Sequence, residues 1–517
     1  MKKIINNVAI LIMLVFFAGC SEDYLDTFPT SSTGTVTAFE TTENAAMVIN
    51  GICRIMTRQY SSYGQGFNGE GTVKMYYGNY QGTAFVYPAT GWTNTISGSY
   101  HDNATSSYTA YPWYYYYQIV GNANSVIQNI DDASGPENER QLIKAQALTF
   151  RAYAFTMLTQ LYAYRWSDSN NGATPGIILR LEPTFDPMPL STLGETYKQI
   201  YDDLDEAIHL YQESKLTRQA DDVWTPNINV AYAIYARAAI NKLDYPKAIE
   251  MSVKAREGHP LMSVAEYLSG FNTPNPEWIW GSYAGTTETL YFYSYHAYIA
   301  YNSTASAVKS IPKCISKDYY VQIPETDIRK ALFLDPTGYT TNASTGEITN
   351  QTQKNKVYER FPSMDKAAKI FNYMQFKISC TEMPGIGYLN HFRSSEMYLI
   401  EAEAQYKTGN EPRARQLLVE LTKDSGRDPS YSCTQTGDAL FTELKKIAQV
   451  ELWGEGFDWF MVKRWGDKII HRSYAKGGNY LAAYDAEIGP DEKNKQTWVI
   501  PLKETDYNPL AKGTGGN

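Results

Sequence analysis

The chain reads as a mostly α-helical protein. Short amphipathic helices stack as repeat-like pairs and carry long irregular loops with a few short strands. Three observations predict this. Apolar residues recur at 3.6-residue spacing in several segments. Proline and glycine divide those segments into pairs. The intervening stretches 60–112, 261–393 and 466–517 lose the period and fill with Gly, Asn, Thr, Ser and Tyr.

Taken in order, residues 141–163 place Leu148, Ala152, Phe155, Thr159 and Tyr162 at steps of four and three, one face of a helix. In 196–211 the same stripe is Ile200, Leu204, Ala207, Ile208 and Tyr211. Residues 228–255 hold two helices, and Pro246 suits the first turn of the second. Residues 394–423 repeat that plan, with Gly409-Asn410 as a C-cap and Pro412 opening the next helix. A last long helix is expected from about Leu440 to Gly454, and EWIWGSY (277–283) reads as a strand. The pairs ARAAINKLDYPKAIEMSVKA and AEAQYKTGNEPRARQLLVEL resemble tetratricopeptide repeats. Small residues in the first helix let the second approach, and stacking buries a core that one pair cannot. No Pro/Ser run, charge block or low-complexity tract marks a linker. One domain over 20–517 is therefore expected, with repeat-like pairs about 141–255 and 394–465.

The start is a separate signal. Lys2 and Lys3 precede an apolar run from Val8 to Ala18, and Gly19-Cys20 ends it. Crossing a bilayer takes about 20 apolar residues, so the run fits a secretory signal over 1–19. Phe-Ala-Gly-Cys resembles the lipobox of bacterial lipoproteins, which implies lipidation of Cys20; an ordinary signal peptide with an incidental cysteine is the alternative. Several acyl chains would make the anchor effectively permanent. The acids of Ser21-Glu22-Asp23 resemble a surface-export signal of Bacteroidetes lipoproteins, and also suit a solvated tether.

A net charge of −9 and pI near 5.4 argue against nucleic acid and against peripheral binding to anionic lipid. Cys53, Cys314, Cys380 and Cys433 form no C-x-x-C pair, so neither a zinc site nor a redox pair is indicated; buried free thiols are expected. The six histidines make no H-E-x-x-H, and neither a G-x-S-x-G elbow nor a P-loop is present, so no catalytic residue, metal or cofactor is assigned. The G-x-G-x-x-G match at 64–69 lacks a preceding strand and an evident following helix, so it reads as a loop. Tyrosine is abundant, 43 residues alongside 10 Trp and 19 Phe, which suits neutral polar ligands.

Six ordered stretches then resemble the SusD/RagB group of Bacteroidetes outer-membrane lipoproteins. They are the lipobox at Cys20, YYYYQIVGNANSVIQNI (114–130), KAQALTFRAYAFTMLTQLYA (144–163), FRSSEMYLIEAEAQYKTGN (392–410), ELWGEGFDWFMVKRWG (451–466) and TWVIPLKETDYNPL (497–510). The resemblance implies a scaffold of about four helix pairs and a binding protein rather than an enzyme. It also implies capture of oligosaccharide, or in some members peptide, as the lid of a SusC-like TonB-dependent barrel. Arg151, Glu401, Glu455, Asp458, Arg464 and Trp465 are expected to hold helices together. A surface glycosidase and a module that touches only other proteins are the remaining readings.

Ligand contacts are expected from two loop regions, about 60–112 and 283–320. Sugar faces stack on aromatic rings, and amides and hydroxyls read the edges. Trp92, with Asn94 two residues on, lies in a loop context at the place the resemblance implies for such residues; Tyr77 and Tyr80 are further candidates. In the second region Tyr291, Tyr293 and Tyr295 alternate as on one strand face, whereas Tyr298 fits a helical turn; Tyr291 and Tyr295 are the candidates. Tyr114 to Tyr117 open a helix and are assigned mainly to packing. Three or four stacking contacts supply roughly 4 kcal/mol, a millimolar affinity that effective concentration at a transporter would raise.

Overall fold

The computed structural model describes residues 35–59, 66–184, 186–283, 285 and 293–511. The signal sequence and Cys20 lie outside the described residues, as does Tyr291.

The longer helices, in order, are α1 (Thr42–Ile55), α2 (Ser107–Asn129), α3 (Glu137–Tyr162), α4 (Leu193–Ser214), α5 (Ile228–Asn241) and α6 (Tyr245–Ala255). They continue with α7 (Gln351–Arg360), α8 (Ser394–Lys407), α9 (Glu411–Val419), α10 (Gly437–Glu451), α11 (Asp458–Trp465) and the short C-terminal α12 (Leu502–Tyr507). Neighbours pack in a series: α2 on α3, α3 on α4, α4 on α5, α5 on α6, α6 on α8, and α8 on α9 and α10. Pro246 and Pro412 both sit in the first turn of their helices, and Gly409 has a φ of +84°. The expected helix pairs are therefore present in order.

Alanine explains the close stacking. In α5 the buried residues include Ala231, Ala233, Ala236, Ala238 and Ala239, so neighbours approach it from several sides. The buried threonines of α3 satisfy themselves. Thr149, Thr156 and Thr159 donate to Ala145, Ala152 and Phe155 carbonyls one turn back. Arg151 grips both Asp203 oxygens at 2.8 and 2.6 Å and donates to Asn124 at 3.0 Å, joining α2, α3 and α4. Arg256 pairs with Glu401, and Arg464 and Trp465 both meet Glu403, as their expected structural roles require.

Among the described residues, six short strands form three antiparallel pairs: β1 (Phe85–Val86) with β3 (Cys314–Ile315), β2 (Trp278–Ser282) with β4 (Leu389–Arg393), and β5 (Ile469–His471) with β6 (Ala486–Ile488). The first pair joins the two loop regions to each other.

A buried ionic cluster lies where β2, β4 and α10 meet. Arg393 donates to Glu277 (2.7 Å), Glu451 (2.8 Å) and Glu455 (2.8 Å); Arg427 and Arg329 add contacts to Glu451, and Lys377 to Glu455. Burial disfavours the charge on Glu451, but Arg427, Arg393 and Arg329 outweigh it and hold the carboxyl well below the usual range.

Three expectations need correction. The G-x-G-x-x-G stretch does run into helix, Gly69–Thr72 and then a π-helical turn Val73–Asn79. Yet its Glu70 carboxylate is enclosed and bonded to Tyr115 and Tyr116, so the turn is a packing device and not a phosphate cradle. The expected strand through Tyr295 is instead the start of a short helix, Tyr295–Ile299, capped by Ser294. Cys53, Cys314 and Cys380 are buried free thiols, but Cys433 is half-exposed.

Candidate functional site

The π-helical turn Val73–Asn79 builds the floor of the site. Its extra residue sends Tyr76 and Tyr80 to one side, where each meets Trp92, and Tyr77 to another, against Trp498 at 4.9 Å. The turn is clasped from behind by Leu452–Gly456. Asn79 donates to the Gly454 carbonyl (2.8 Å) and accepts from the Gly456 amide (2.9 Å). A Cβ on Gly78 would fall 2.0 Å from the Gly456 carbonyl oxygen, so only glycine permits this approach.

The chain then passes a fixed point. Gly82 O accepts from His471, Thr83 O and Phe85 O accept from Tyr480, Ala84 O accepts from Trp453 Nε1, and the Ala84 amide donates to Asp458. From there β1 leads into the Trp92 turn. Gly91 has a φ of +123°, a conformation that favours glycine. The Tyr484 hydroxyl donates to Ala89 O and accepts from the Trp92 amide at 3.4 Å, fixing both sides of the bend.

Trp92 thus rests half-exposed on an aromatic bed. Its ring centroid is 4.5 Å from Tyr76, 5.2 Å from Tyr80, 5.7 Å from Tyr108 and 6.4 Å from Tyr87. Tyr108 stacks on Tyr100 at 5.0 Å. The second loop region closes the other side. Tyr298 lies 5.9 Å from Tyr76, and Tyr293 6.5 Å from Tyr298. Trp92, Tyr100, Tyr108, Tyr293 and Tyr298 form a half-exposed rim; Tyr76, Tyr80 and Tyr87 are the buried floor. Beneath Tyr87, the buried Lys313 ammonium sits 5.0 Å from the ring, and burial lowers its pKa to about 7.

The predicted residues separate clearly. Trp92 is central, and Asn94 is exposed in the adjoining short helix Thr93–Ile96. Tyr77, Tyr80 and Tyr295 are corrected from open platforms to packing residues. Tyr77 is fully buried with its hydroxyl on the Tyr108 carbonyl; Tyr80 is covered by Trp92, Phe85 and Tyr87; Tyr295 is buried and bonded to the Gly454 carbonyl. Tyr76, Tyr87, Tyr108, Tyr293, Tyr298 and Tyr484 were not selected from sequence. The four-residue step from Tyr76 to Tyr80 was the available signal for the floor.

Pro112 explains the Tyr77 contact. Lacking an amide hydrogen, it leaves the Tyr108 carbonyl of α2 open, and the Tyr77 hydroxyl fills that place. The Tyr162 hydroxyl enters the same gap, donating to Thr109 O at 2.6 Å and accepting from the Trp113 amide at 3.0 Å.

A separate small pocket of about 60 Å³ is lined by Glu70, Lys74, Arg237, Glu396, Glu403 and Arg464, among others. Its charges are internally matched. Arg237 pairs with Glu396 at 2.7 Å, Arg464 with Glu403, and Lys74 donates to the Glu455 carbonyl at 2.9 Å.

Residues 23–240 match a family profile described as "Starch-binding associating with outer membrane", and residues 295–510 match one described as "SusD family". No curated protein matches the chain. Three solved structures share the fold along nearly their whole length. A SusD-like carbohydrate binding protein from Bacteroides vulgatus ATCC 8482 is 21% identical, with 93% of this chain and 99% of that one covered and a TM-score of 0.75. A SusD superfamily protein from the same organism is 19% identical, with 92% and 99% covered and a TM-score of 0.74. A SusD superfamily protein from Bacteroides thetaiotaomicron VPI-5482 is 20% identical, with 92% and 99% covered and a TM-score of 0.70.

Proposed function

The chain belongs to the SusD family, and from that premise we propose that it is a cell-surface receptor that captures oligosaccharide and passes it to a SusC-like TonB-dependent barrel. It binds without catalysis. Lipidation at Cys20 would anchor it to the outer membrane, with 1–19 removed and 20–517 as one domain. The profile described as "Starch-binding associating with outer membrane" supports the membrane and glycan parts of this reading. Among the described residues no helix is long and apolar enough to cross a membrane, so attachment would fall to the anchor.

The observation that carries the glycan reading is Trp92. An indole half-exposed and packed against buried tyrosines is pre-organised, which reduces the ordering cost of stacking a sugar. Asn94 and the rim hydroxyls of Tyr108 and Tyr298 are the edge contacts of this reading.

The test is an array carrying glycans and mixed peptides together, probed with multivalent 21–517. Binding to one related set of glycans, lost in Trp92→Ala, is the expected result. Peptide-only binding would move the assignment to the RagB-type branch. Release of sugar from a glycan on long incubation would make the protein a glycosidase.

A further inference from the structure

A large groove lies on another part of the surface, between α2 and α12. It encloses about 1630 Å³, open space included, and is walled by Tyr114, Gln118 and Asn122 of α2 and by Lys503, Glu504 and Tyr507 at the C-terminus. Nothing in the Trp92 site uses these residues. Tyr507 is 86% exposed, the most exposed large apolar side chain among the described residues, and Leu502 and Leu510 stand exposed beside it.

The walls are aromatic and amide in character, and electrically neutral overall. Arg180 pairs with Glu504 at 3.4 Å, and Lys503 and Glu182 add one charge of each sign to the lining. An anionic polymer would therefore gain little here. The Gln118 side-chain oxygen has no hydrogen-bond partner, although it is sheltered from solvent. The Asn122 side-chain amide donates to the Gln118 main-chain carbonyl at 2.8 Å, which holds the Asn122 side chain against α2. An exposed phenol ring on one wall and amide side chains on the other are suited to the C–H face and hydroxyl edges of a sugar.

Helix α2 also links this groove to the first site. Tyr108 in its first turn belongs to the rim around Trp92. Tyr114 and Ser125, at the two ends of the groove wall, lie about 9 and 25 Å further along the same helix axis.

We infer that the groove between α2 and α12 is a second glycan-binding surface, which takes a neutral polysaccharide chain extending beyond the Trp92 site. This rests on the glycan reading above, and it predicts a preference for polymers over short fragments, because two linked contacts raise effective concentration.

Native affinity electrophoresis through amylopectin, pullulan, galactomannan and xyloglucan tests it, with calorimetry on a tetrasaccharide cut from whichever polymer retards the protein. Tyr507→Ala is expected to weaken polymer retardation about fivefold and to leave tetrasaccharide affinity unchanged. Gln118→Ala should weaken polymer retardation in the same direction by less. Trp92→Ala should weaken both, by about tenfold on the tetrasaccharide. The Tyr507 ring is so exposed that its removal leaves the fold intact. Equal retardation of Tyr507→Ala and wild type overturns the second surface while Trp92→Ala still reports on the first. An equal loss on polymer and tetrasaccharide reduces the two surfaces to one and overturns it as well. A wild type that none of the four polymers retards overturns both readings.

Discussion

Trp92 and Tyr77 come from the same loop region, yet their chemistry divides at the ring face. Trp92 stays partly exposed; Tyr77 is enclosed and commits its hydroxyl to the carbonyl that Pro112 leaves open. Two substitutions separate these roles. Trp92→Ala should cost about tenfold in glycan affinity, the value of one good stacking contact, with an unchanged circular dichroism spectrum. Tyr77→Phe should do the reverse. It strands a buried carbonyl at a cost of about 1–2 kcal/mol in urea unfolding, while glycan affinity stays at the wild-type value. A Tyr77→Phe variant that bound more weakly at full stability would contradict this division. Sequence context could identify Trp92, because glycine, threonine and asparagine around it mark a loop. It could not separate Tyr76 from Tyr77, because the partners that bury one face of the turn, Gly454 and Trp498, are remote in the chain.

At the scale of elements, the contact between the π-helical turn and the start of α11 governs the site. Gly78→Ala brings a methyl against the Gly456 carbonyl, where the ideal Cβ distance is only 2.0 Å. Its cost should be about 3 kcal/mol by chemical denaturation. Affinity should fall with it, since Tyr76 and Tyr80 ride on the displaced turn. Asp458 gives this contact a pH dependence. Burial pushes its carboxyl up to about 6, against the hydrogen bonds from Gln449 and the Ala84 amide. An acid that binds its proton more tightly when folded contributes most stability below its unfolded pKa near 3.9 and loses it as pH rises through 6. The expected loss is about 3 kcal/mol between pH 4 and pH 7. Asp458→Asn should flatten that fall in urea midpoints taken across the range, and parallel profiles for the two proteins would refute the assignment.

Across the whole molecule, the helix series and the ionic cluster set stability. Arg393 is wholly enclosed and bridges Glu277, Glu451 and Glu455, which come from segments far apart in the chain. Arg393→Met should destabilise by about 3–5 kcal/mol, because carboxylates remain buried with fewer partners. Added salt should change that figure little, since screening acts weakly on buried charge. The helical half of this architecture was legible in sequence. Stripes such as Ile200, Leu204 and Ala207 are local signals that survive without tertiary context, and Pro246 and Pro412 mark helix starts by chain chemistry alone. The site was legible only in part. The two loop regions were expected to supply ligand contacts; both bring aromatic residues to the Trp92 cluster, and β1 with β3 joins them. Tyr298 was passed over for Tyr295, because alternation suggested a strand where Ser294 caps a helix, and Tyr291 lies outside the described residues.

The fixed point at 82–85 has a consequence for how such a protein can change. His471, Tyr480 and Trp453 bond only to main-chain oxygens there, and Asp458 to a main-chain amide. Two of the held residues are nevertheless fixed by their neighbours: a Cβ on Gly82 would fall 2.1 Å from an Asp458 carboxylate oxygen, and the Thr83 hydroxyl bonds to Tyr319 and Gln449. The mounting therefore tolerates little change within 82–85 and leaves variation to the chain beyond it, so that loops running on toward Trp92 can acquire new ligands by local mutation while the helices behind them stay as they are.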